Sequence, residues 1–310
     1  FNLTQLQKEA SRYLGLTLSE VYDIAQTLYE KKLISYPRTS SRYLTEDVYR
    51  TLPAILRRLV SWNLFELDTD LSERMLSGLS RSVVDEKQVH IHPAITVTGI
   101  RPEGLTHKEQ EVYRLIAGRM LEAFLPSCRT ETTFVKAVCA AQVFQTTGVR
   151  ILEEGWHALF QRPGVLSVPE NPDGLPMLEE GDTPDVCSCN LLRKKDLPVH
   201  PFTDAELVEY MEDKGLGTVA SRTSIIRTLL NRNYIRYAGK YIVPTPKGMF
   251  TYETIRGKKI ADTELTRDWE ALLAGVETRQ EEKSGFLERV RNLATLLVDD
   301  IFQTYAPSGE

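Results

Sequence analysis

Three of the Thr-x-x-Glu segments in this chain, each at the start of a predicted helix, constrain its fold more than any other feature of its sequence. They begin at Thr17, Thr106 and Thr203. In such a capping box the threonine hydroxyl and the glutamate carboxylate each accept a hydrogen bond from the other residue's backbone N–H, which fixes the start of a helix. Apolar residues at helical spacing follow the first two boxes. The third opens a section that we expect to be helical apart from residues 234–246.

A β-rich section separates these helical parts. Residues 132–152 are rich in β-branched side chains and are broken by Thr147-Gly148, which predicts a hairpin or a pair of strands. Residues 160–200 combine Pro, Gly and acidic residues and predict loops and short strands. Because 310 residues are too many for one core, we expect a multi-domain α and β protein. Its predicted parts are helical residues 1–126, β-rich residues 127–200 and helical residues 201–310.

Composition narrows the class of protein. No run approaches the roughly 20 apolar residues of a membrane span. None of the four cysteines lies in a CxxC pair, so we expect reduced thiols, no metal site and an intracellular protein. The chain opens at Phe1 without an initiator Met or a signal sequence. This start predicts a piece of a longer polypeptide.

The charge pattern bears on nucleic-acid binding. A net charge of −5 argues weakly against it, because phosphate contacts need cations. Residues 222–247 nevertheless hold no acidic residue, and three tyrosines lie among their cations. The cations are Arg222, Arg227, Arg232, Arg236, Lys240 and Lys247. This stretch is either a nucleic-acid surface or a solvated charged face.

The segment with the clearest chemical content is Tyr36-Pro37-Arg38, at the end of a short apolar stretch predicted to be a strand. In extended chain, Tyr36 and Arg38 project to the same face. Pro37 has no N–H, so it indicates the edge or end of a strand. A guanidinium next to a phenol favours the phenolate and can hold phosphate oxygens in two-pronged fashion. The pair suits attack on a phosphodiester; the alternative is a packed tyrosine beside a surface arginine.

Two histidines, His90 and His92, form a second candidate. They could be metal ligands, but no further ligand lies at suitable spacing. A histidine near a scissile phosphate could donate a hydrogen bond to an oxygen or assist proton transfer. A satisfied surface histidine is the alternative.

Glycines mark a third candidate between two predicted helices. We expect one helix to end at Gly215 and the next to begin with Thr218 as its N-cap. A helix start flanked by Gly217 exposes N–H groups that bind anions, and Ser221 and Arg222 would add donors. The alternative is a plain corner between helices. The following helix and the predicted hairpin 233–243 complete a pattern typical of a winged helix, which often binds nucleic acid.

The order of these segments resembles the type IA DNA topoisomerases, and topoisomerase III more than bacterial topoisomerase I. The resemblance covers nearly the whole chain. Its motifs are LQKEA at 6–10, AQTLYE at 25–30, ISYPRT at 34–39, HPAI at 92–95, GLGTVASR at 215–222, PTPKG at 244–248 and LTRDWE at 265–270.

This resemblance implies roles for individual residues. Tyr36 would attack one DNA strand and form a 5′-phosphotyrosine, Arg38 would hold the phosphate, and His92 would contact it. A second strand would pass through the gap before resealing, without ATP. Single-stranded DNA, the expected main partner, would lie along a groove whose residues are Gly215, Gly217, Thr218, Ser221, Arg222 and Ser224.

The resemblance also implies an architecture. Residues 1–126 would be the helical lid of a toroid, 127–200 part of its β-rich arch, and 201–310 much of its DNA-binding base. The family's Mg²⁺ ligands belong to a Toprim domain that no segment here matches. We therefore expect no metal on this chain and inefficient cleavage by it alone. The expected location is the cytoplasm, at the nucleoid, with no membrane association; a helicase partner is left open.

Departures from the family pattern keep one alternative open. Ser40 stands where many relatives have Asp, and Val219 where relatives often have Pro. Asp68-Thr-Asp70 imitates the acidic spacing of the family but lies downstream of the tyrosine without a preceding apolar strand. The alternative is a non-enzymatic winged-helix DNA-binding protein in which Tyr36 is structural.

Overall fold

The computed structural model describes residues 1–89, 91–159, 175, 178–183, 185–192, 200–279 and 282–305. These residues pack as two compact units. The first contains Phe1–Thr27, Tyr36–Ser40 and the described residues from His200 onward. The second contains Leu28–Ser35 and the described residues between Ser41 and Val199. The three-part division at residues 126 and 200 stays a prediction.

Helices dominate the described residues. They are α1 Leu3–Leu14, α2 Leu18–Glu30, α3 Glu46–Ser61, α4 Thr69–Ser77, α5 His107–Glu122, α6 Asp204–Asp213, α7 Arg222–Asn231, α8 Pro246–Ile255, α9 Thr263–Glu277 and α10 Lys283–Tyr305. Within the described residues, none of these helices is long and apolar enough to cross a membrane.

All three predicted capping boxes are confirmed. Before α2, the Thr17 N–H donates to a Glu20 carboxylate oxygen at 2.9 Å, and the Glu20 N–H donates to the Thr17 hydroxyl at 3.3 Å. The same reciprocal bonds precede α5 at Thr106 and α6 at Thr203. Each helix start is therefore fixed within four residues of sequence.

The β-rich section contains one long hairpin, as expected, but its turn was predicted at the wrong place. Strands β1 Arg129–Cys139 and β2 Gln142–Glu153 pair antiparallel, and Cys139 faces Gln142 across the turn. The turn is Ala140-Ala141, both at positive φ, rather than Thr147-Gly148. Gly148 lies inside β2, opposite Thr133. In residues 178–183 and 185–192 there is neither helix nor strand; the rest of 160–199 lies largely outside the described residues.

The first unit contains the helix–turn–helix and hairpin that the sequence predicts. After α6 and α7, strand β3 Ile235–Ala238 pairs antiparallel with β4 Tyr241–Pro244. This pair, joined by Gly239 and Lys240, is called the wing hairpin below. A buried apolar cluster joins α2, α6, α7 and the hairpin through Leu18, Val208, Met211, Ile226 and Ile242.

A close backbone approach fixes the exit from the wing hairpin. The hydroxyl of Thr245 donates to the carbonyl oxygen of Asn233 at 2.6 Å and accepts from the Gly248 N–H at 3.0 Å. A Cβ at position 248 would lie 1.9 Å from the carbonyl oxygen of Tyr234. Only glycine therefore fits in the first turn of α8 at this distance.

The second unit is built around α5. Its helix buries Val112, Tyr113, Ile116 and Leu121, each at most 1 % exposed. Burial raises the pKa of the Tyr113 hydroxyl well above its usual range. The side chain of Lys31 donates to the Glu109 carboxylate at 3.0 Å.

Candidate active site

The approach to Tyr36 was predicted to be a strand and is only a single antiparallel bridge. Ile34 pairs with Val97, and the Ser35 N–H donates to the carbonyl oxygen of Thr96 at 2.8 Å. The pairing does not continue, because Pro37 has no N–H to extend a ladder. The segment is extended but not part of a sheet.

Residues 36–40 belong to the first unit and are held by the start of α1. The Leu3 N–H donates to the carbonyl oxygen of Thr39 at 3.1 Å, and the Asn2 side-chain amide donates to that of Ser40 at 3.1 Å. Pro37 and Thr39 are buried, whereas Tyr36 and Arg38 are half-buried. This alternation is what an extended segment gives, and it leaves both predicted catalytic side chains partly accessible.

Helix α2 holds the guanidinium of Arg38. Its Nη2 donates to the side-chain oxygen of Gln26 at 3.3 Å. The guanidinium carbon lies over the ring of Tyr22, 5.1 Å from its centroid, a distance typical of cation–π contact. The Nε atom is buried and has no hydrogen-bond partner within the described part of the chain. The arginine is thus oriented by two side chains that lie about one helical turn apart.

His92 belongs to the second unit. It is half-buried and lies in a bend before Ala94, whose N–H donates to the carbonyl oxygen of Tyr43 at 2.8 Å. His90 lies outside the described residues. The role of His92 at a phosphate stays a prediction.

The glycine-flanked turn differs from the prediction. Gly215 and Gly217 have left-handed φ angles of 66° and 67°, but α7 begins at Arg222 and not after a Thr218 cap. The Thr218 N–H donates to the Ser221 hydroxyl at 2.8 Å, and the Arg222 N–H donates to the Thr218 carbonyl at 3.0 Å. The Ser221 and Arg222 N–H groups both donate to the Thr218 carbonyl oxygen, so residues 219–221 form a turn that leads directly into α7.

Arg222 is buried rather than displayed on the surface. Its guanidinium lies 3.5 Å from the Glu212 carboxylate, and its Nε donates to the Leu216 carbonyl oxygen at 3.3 Å. A further N–H points to the hydroxyl of Thr4 at 3.5 Å. Ser224, by contrast, is exposed, although its hydroxyl donates to the Ser221 carbonyl. Arg222 therefore stabilises the glycine-flanked turn through buried contacts.

The basic stretch lies on and around the wing hairpin. Arg232, Arg236, Lys240 and Lys247 are exposed. The Lys247 ammonium lies 4.7 Å from the centre of the Tyr234 ring and donates to the Arg232 carbonyl oxygen at 2.8 Å. This surface presents exposed cations, one of which lies over an aromatic ring.

A buried carboxylate joins the wing hairpin to α2. The Leu18 N–H donates to Asp204 at 3.0 Å, and the Tyr237 hydroxyl lies 3.0 Å from both carboxylate oxygens. Burial raises the pKa of Asp204. Burial and the neighbouring carboxylate raise the pKa of Tyr237 well above its usual range.

Two contacts of the site were missed at the sequence level. Tyr22 and Gln26 lie at helical spacing in the predicted α2, but that spacing carries no sign of their contact with Arg38. Arg227 also bonds α2, with its Nη2 at 3.0 and 2.9 Å from the two carboxylate oxygens of Asp23 and its Nε at 3.3 Å from the Ser19 hydroxyl. These contacts depend on tertiary packing.

The described residues do not fit a magnesium site. Among them, no three His, Cys, Asp or Glu side chains lie close enough together to hold a metal ion. Asp68 caps α4 by accepting the Asp70 N–H at 2.9 Å. No step below is therefore assigned to a metal held by these residues.

Similarity to known proteins identifies the family to which this chain belongs. The family described as DNA topoisomerase matches residues 1–288. DNA topoisomerase 1 of Methanocaldococcus jannaschii is 33% identical over 302 residues, covering 97% of this chain and 38% of the relative. DNA topoisomerase 3 of Bacillus licheniformis is 29% identical over 326 residues, covering 97% and 44%. The chain thus spans less than half the length of these curated relatives.

The fold of this chain also matches that of a solved topoisomerase structure. The structure of full-length topoisomerase I from Thermotoga maritima superimposes with a TM-score of 0.72 at 22% identity, covering 95% of this chain and 48% of that one. A match to the family over residues 1–288, together with these similarities, establishes that the chain belongs to the type IA DNA topoisomerase family.

Proposed function

We propose that this chain carries the nucleophile and part of the DNA-binding surface of a type IA topoisomerase that cuts and reseals one DNA strand. The observation that carries the proposal is the seating of Arg38 on α2, two residues from the half-buried Tyr36. A guanidinium held in place at a reacting phosphate lowers the barrier by stabilising charge without reorganising.

In the proposed step the Tyr36 hydroxyl oxygen attacks the phosphorus of one phosphodiester. The Tyr36 hydroxyl gives up its proton as its oxygen bonds to phosphorus, which makes a 5′-phosphotyrosine. The bond from phosphorus to the 3′ oxygen breaks, and that oxygen takes up a proton, so the leaving strand ends in a 3′-hydroxyl and no net proton is gained or lost. Arg38 neutralises the non-bridging oxygens, and His92 donates to one of them. Because one phosphodiester replaces another, the reverse attack reseals the strand after passage of a second strand, and no ATP is needed.

Single-stranded DNA would lie along the turn that precedes α7. Gly217, Thr218, Ser221 and Ser224 offer small side chains and hydroxyls there. Arg222 is buried, so we assign it the indirect role of holding this turn through Glu212. The exposed cations of the wing hairpin would add phosphate contacts.

The chain spans less than half of its curated relatives. We therefore propose that the remaining catalytic groups and a magnesium ion are supplied by protein outside these residues, and that this chain cleaves DNA poorly by itself. Such an enzyme would act at the nucleoid in the cytoplasm.

The deciding experiment uses the natural full-length protein and single-stranded oligonucleotides in magnesium buffer. A 3′-end label should move onto the denatured protein, because the enzyme keeps the 5′ phosphate, whereas a 5′-end label should not. Tyr36→Phe should abolish this transfer and leave oligonucleotide affinity within about twofold. Tyr43→Phe, which changes another half-buried tyrosine seven positions along the chain, should behave as wild type. An adduct that persists in Tyr36→Phe, or one that carries the 5′ label, would refute the assignment.

Binding is measured on the 310-residue chain itself by fluorescence anisotropy across a salt series. We expect preference for single strands and a steep fall of affinity with salt. Preference for duplex DNA would favour the winged-helix binding protein instead.

A further inference from the structure

Two side chains of α2, Tyr22 and Gln26, contact the guanidinium of Arg38. Gln26 accepts one N–H from Nη2, and the guanidinium carbon lies over the Tyr22 ring. We infer that Tyr22 and Gln26 are positioning residues that orient Arg38 for the transferred phosphate. This inference rests on the proposed function, because it assigns Arg38 to the reacting phosphate.

The donors that remain on Arg38 fit a phosphate. Its Nε is buried and has no hydrogen-bond partner among the described residues, and Gln26 accepts from Nη2, so the guanidinium of this half-buried side chain keeps N–H groups that no described residue accepts. The oxygen of Gln26 is neutral, so it directs the guanidinium without cancelling its charge, as a carboxylate would. The ring of Tyr22 adds attraction for the cation without adding a competing acceptor at the ring face.

Orientation matters because an unrestrained arginine side chain samples many rotamers. Holding the guanidinium before DNA arrives removes that ordering cost from the reaction. The hydrogen bond and the ring contact therefore act on the rate of strand cleavage more than on the affinity for DNA, to which many other phosphate contacts contribute.

Helix α2 is itself held in place by neighbouring helices. Ser19 lies about one turn before Tyr22, and Asp23 about one turn before Gln26. Both accept hydrogen bonds from Arg227 of α7. Gln7 of α1 also donates to the Leu18 carbonyl oxygen at 3.0 Å, in the first turn of α2. Tyr22 and Gln26, which contact Arg38, thus lie on a helix that is bonded to both α1 and α7 within the first unit.

The competing explanation is that Gln26 and Tyr22 only stabilise the fold. The two explanations differ in a double-mutant cycle with Arg38→Ala, since a residue that acts through Arg38 has nothing to act on once the guanidinium is gone. A residue that acts on folding keeps its effect in both backgrounds.

The experiment measures the single-turnover rate of label transfer to the full-length protein, with oligonucleotide affinity and thermal unfolding recorded for every variant. Gln26→Met keeps the length of the side chain and removes the acceptor. It should slow transfer about tenfold, the effect expected for losing a hydrogen bond to a charged group. Tyr22→Leu should slow transfer about fivefold, whereas Tyr22→Phe keeps the ring and should match wild type. Affinity should change less than about twofold in all three.

In the Arg38→Ala background, Gln26→Met and Tyr22→Leu should cause no further slowing. A full tenfold slowing in that background would overturn the inference while leaving the proposed function intact. Equal slowing by Tyr22→Phe and Tyr22→Leu would show that the ring contact does not cause the slowing, and this result would also count against the inference. A wild-type protein that forms no Tyr36-dependent adduct would overturn the proposed function, and the inference with it.

Discussion

Replacing Asp204 with alanine tests the buried contact that ties the wing hairpin to the start of α2. Asp204 is 4 % exposed and accepts the Leu18 N–H and the Tyr237 hydroxyl. Alanine leaves both donors without their acceptor. Asp213, on the last turn of the same helix, is exposed and provides a matched control.

The magnitude follows from how easily water can replace the carboxylate. Leu18 is 1 % exposed, so its unpaired N–H costs about 2 kcal/mol. Tyr237 is 37 % exposed, so its hydroxyl can turn to water and costs at most about 1 kcal/mol. Burying the charged carboxylate also costs free energy, which is why its pKa is raised. Alanine removes that cost, which offsets part of the loss. We expect a net loss of about 2 kcal/mol in Asp204→Ala, and about half of that in Asp204→Asn, which keeps one acceptor.

Two measurements check this expectation on the 310-residue chain. Urea unfolding of Asp204→Ala should show the loss, whereas Asp213→Ala should lie within about 0.5 kcal/mol of wild type. Hydrogen exchange of the Leu18 amide should speed up in Asp204→Ala alone. Equal stability of the two variants, with Leu18 exchange unchanged, would refute the reasoning.

The pH dependence gives an independent check of the same contact. Because the folded-state pKa of Asp204 is raised, its carboxyl group contributes less stability as the pH rises from the unfolded to the folded pKa. Wild type should therefore compare best with Asp204→Asn below the unfolded-state pKa of the carboxyl group, and less well at neutral pH. An advantage over Asp204→Asn that grows toward neutral pH would contradict the raised pKa.

Three further predictions concern stability. Gly217→Ala should cost about 1 kcal/mol more than Gly239→Ala in urea unfolding, because both have positive φ but only a Cβ at 217 meets neighbours at 2.9 Å; equal costs would contradict the crowding. Glu109→Gln should lower thermal stability at neutral pH but not in strong acid. The Thr106 backbone N–H lowers the pKa of Glu109 in the folded protein. The stability that the Glu109 charge contributes is therefore complete above the unfolded-state pKa and is lost as the pH falls through the folded-state pKa. A loss of thermal stability in Glu109→Gln that does not change with pH would count against this. Thr203→Ala should cost about 1 kcal/mol, as loss of an N-cap does, and a change below about 0.3 kcal/mol in urea unfolding would show that the box is dispensable.

Features confined to a few neighbouring residues could be predicted from the sequence. The capping boxes at Thr17, Thr106 and Thr203 were predicted correctly, because all their partners lie within four residues. The turn of the long hairpin was not, because Ala140 and Ala141 adopt left-handed angles that alanine rarely takes. Strand pairing, which the local sequence does not encode, imposes that conformation.

The candidate site likewise contains features that could be predicted from the sequence and features that could not. The projection of Tyr36 and Arg38 to one face could be predicted, because the two residues lie two positions apart in one extended segment. The burial of Arg222 was not, since Glu212 approaches it through the fold and Thr4 lies more than two hundred positions away. Likewise, the contact of Gln26 with Arg38 requires the orientation of α2 against residues 36–40.

The close approach at Gly248 would mislead a mutational scan of this protein. Every substitution there places a side-chain carbon against the Tyr234 carbonyl oxygen and displaces the wing hairpin, so activity would fall without any contact between position 248 and DNA. In an activity screen this glycine would rank with Tyr36. Measuring protein abundance beside activity would separate the two, because loss at Tyr36 should leave the amount of folded protein unchanged, whereas loss at Gly248 should reduce it.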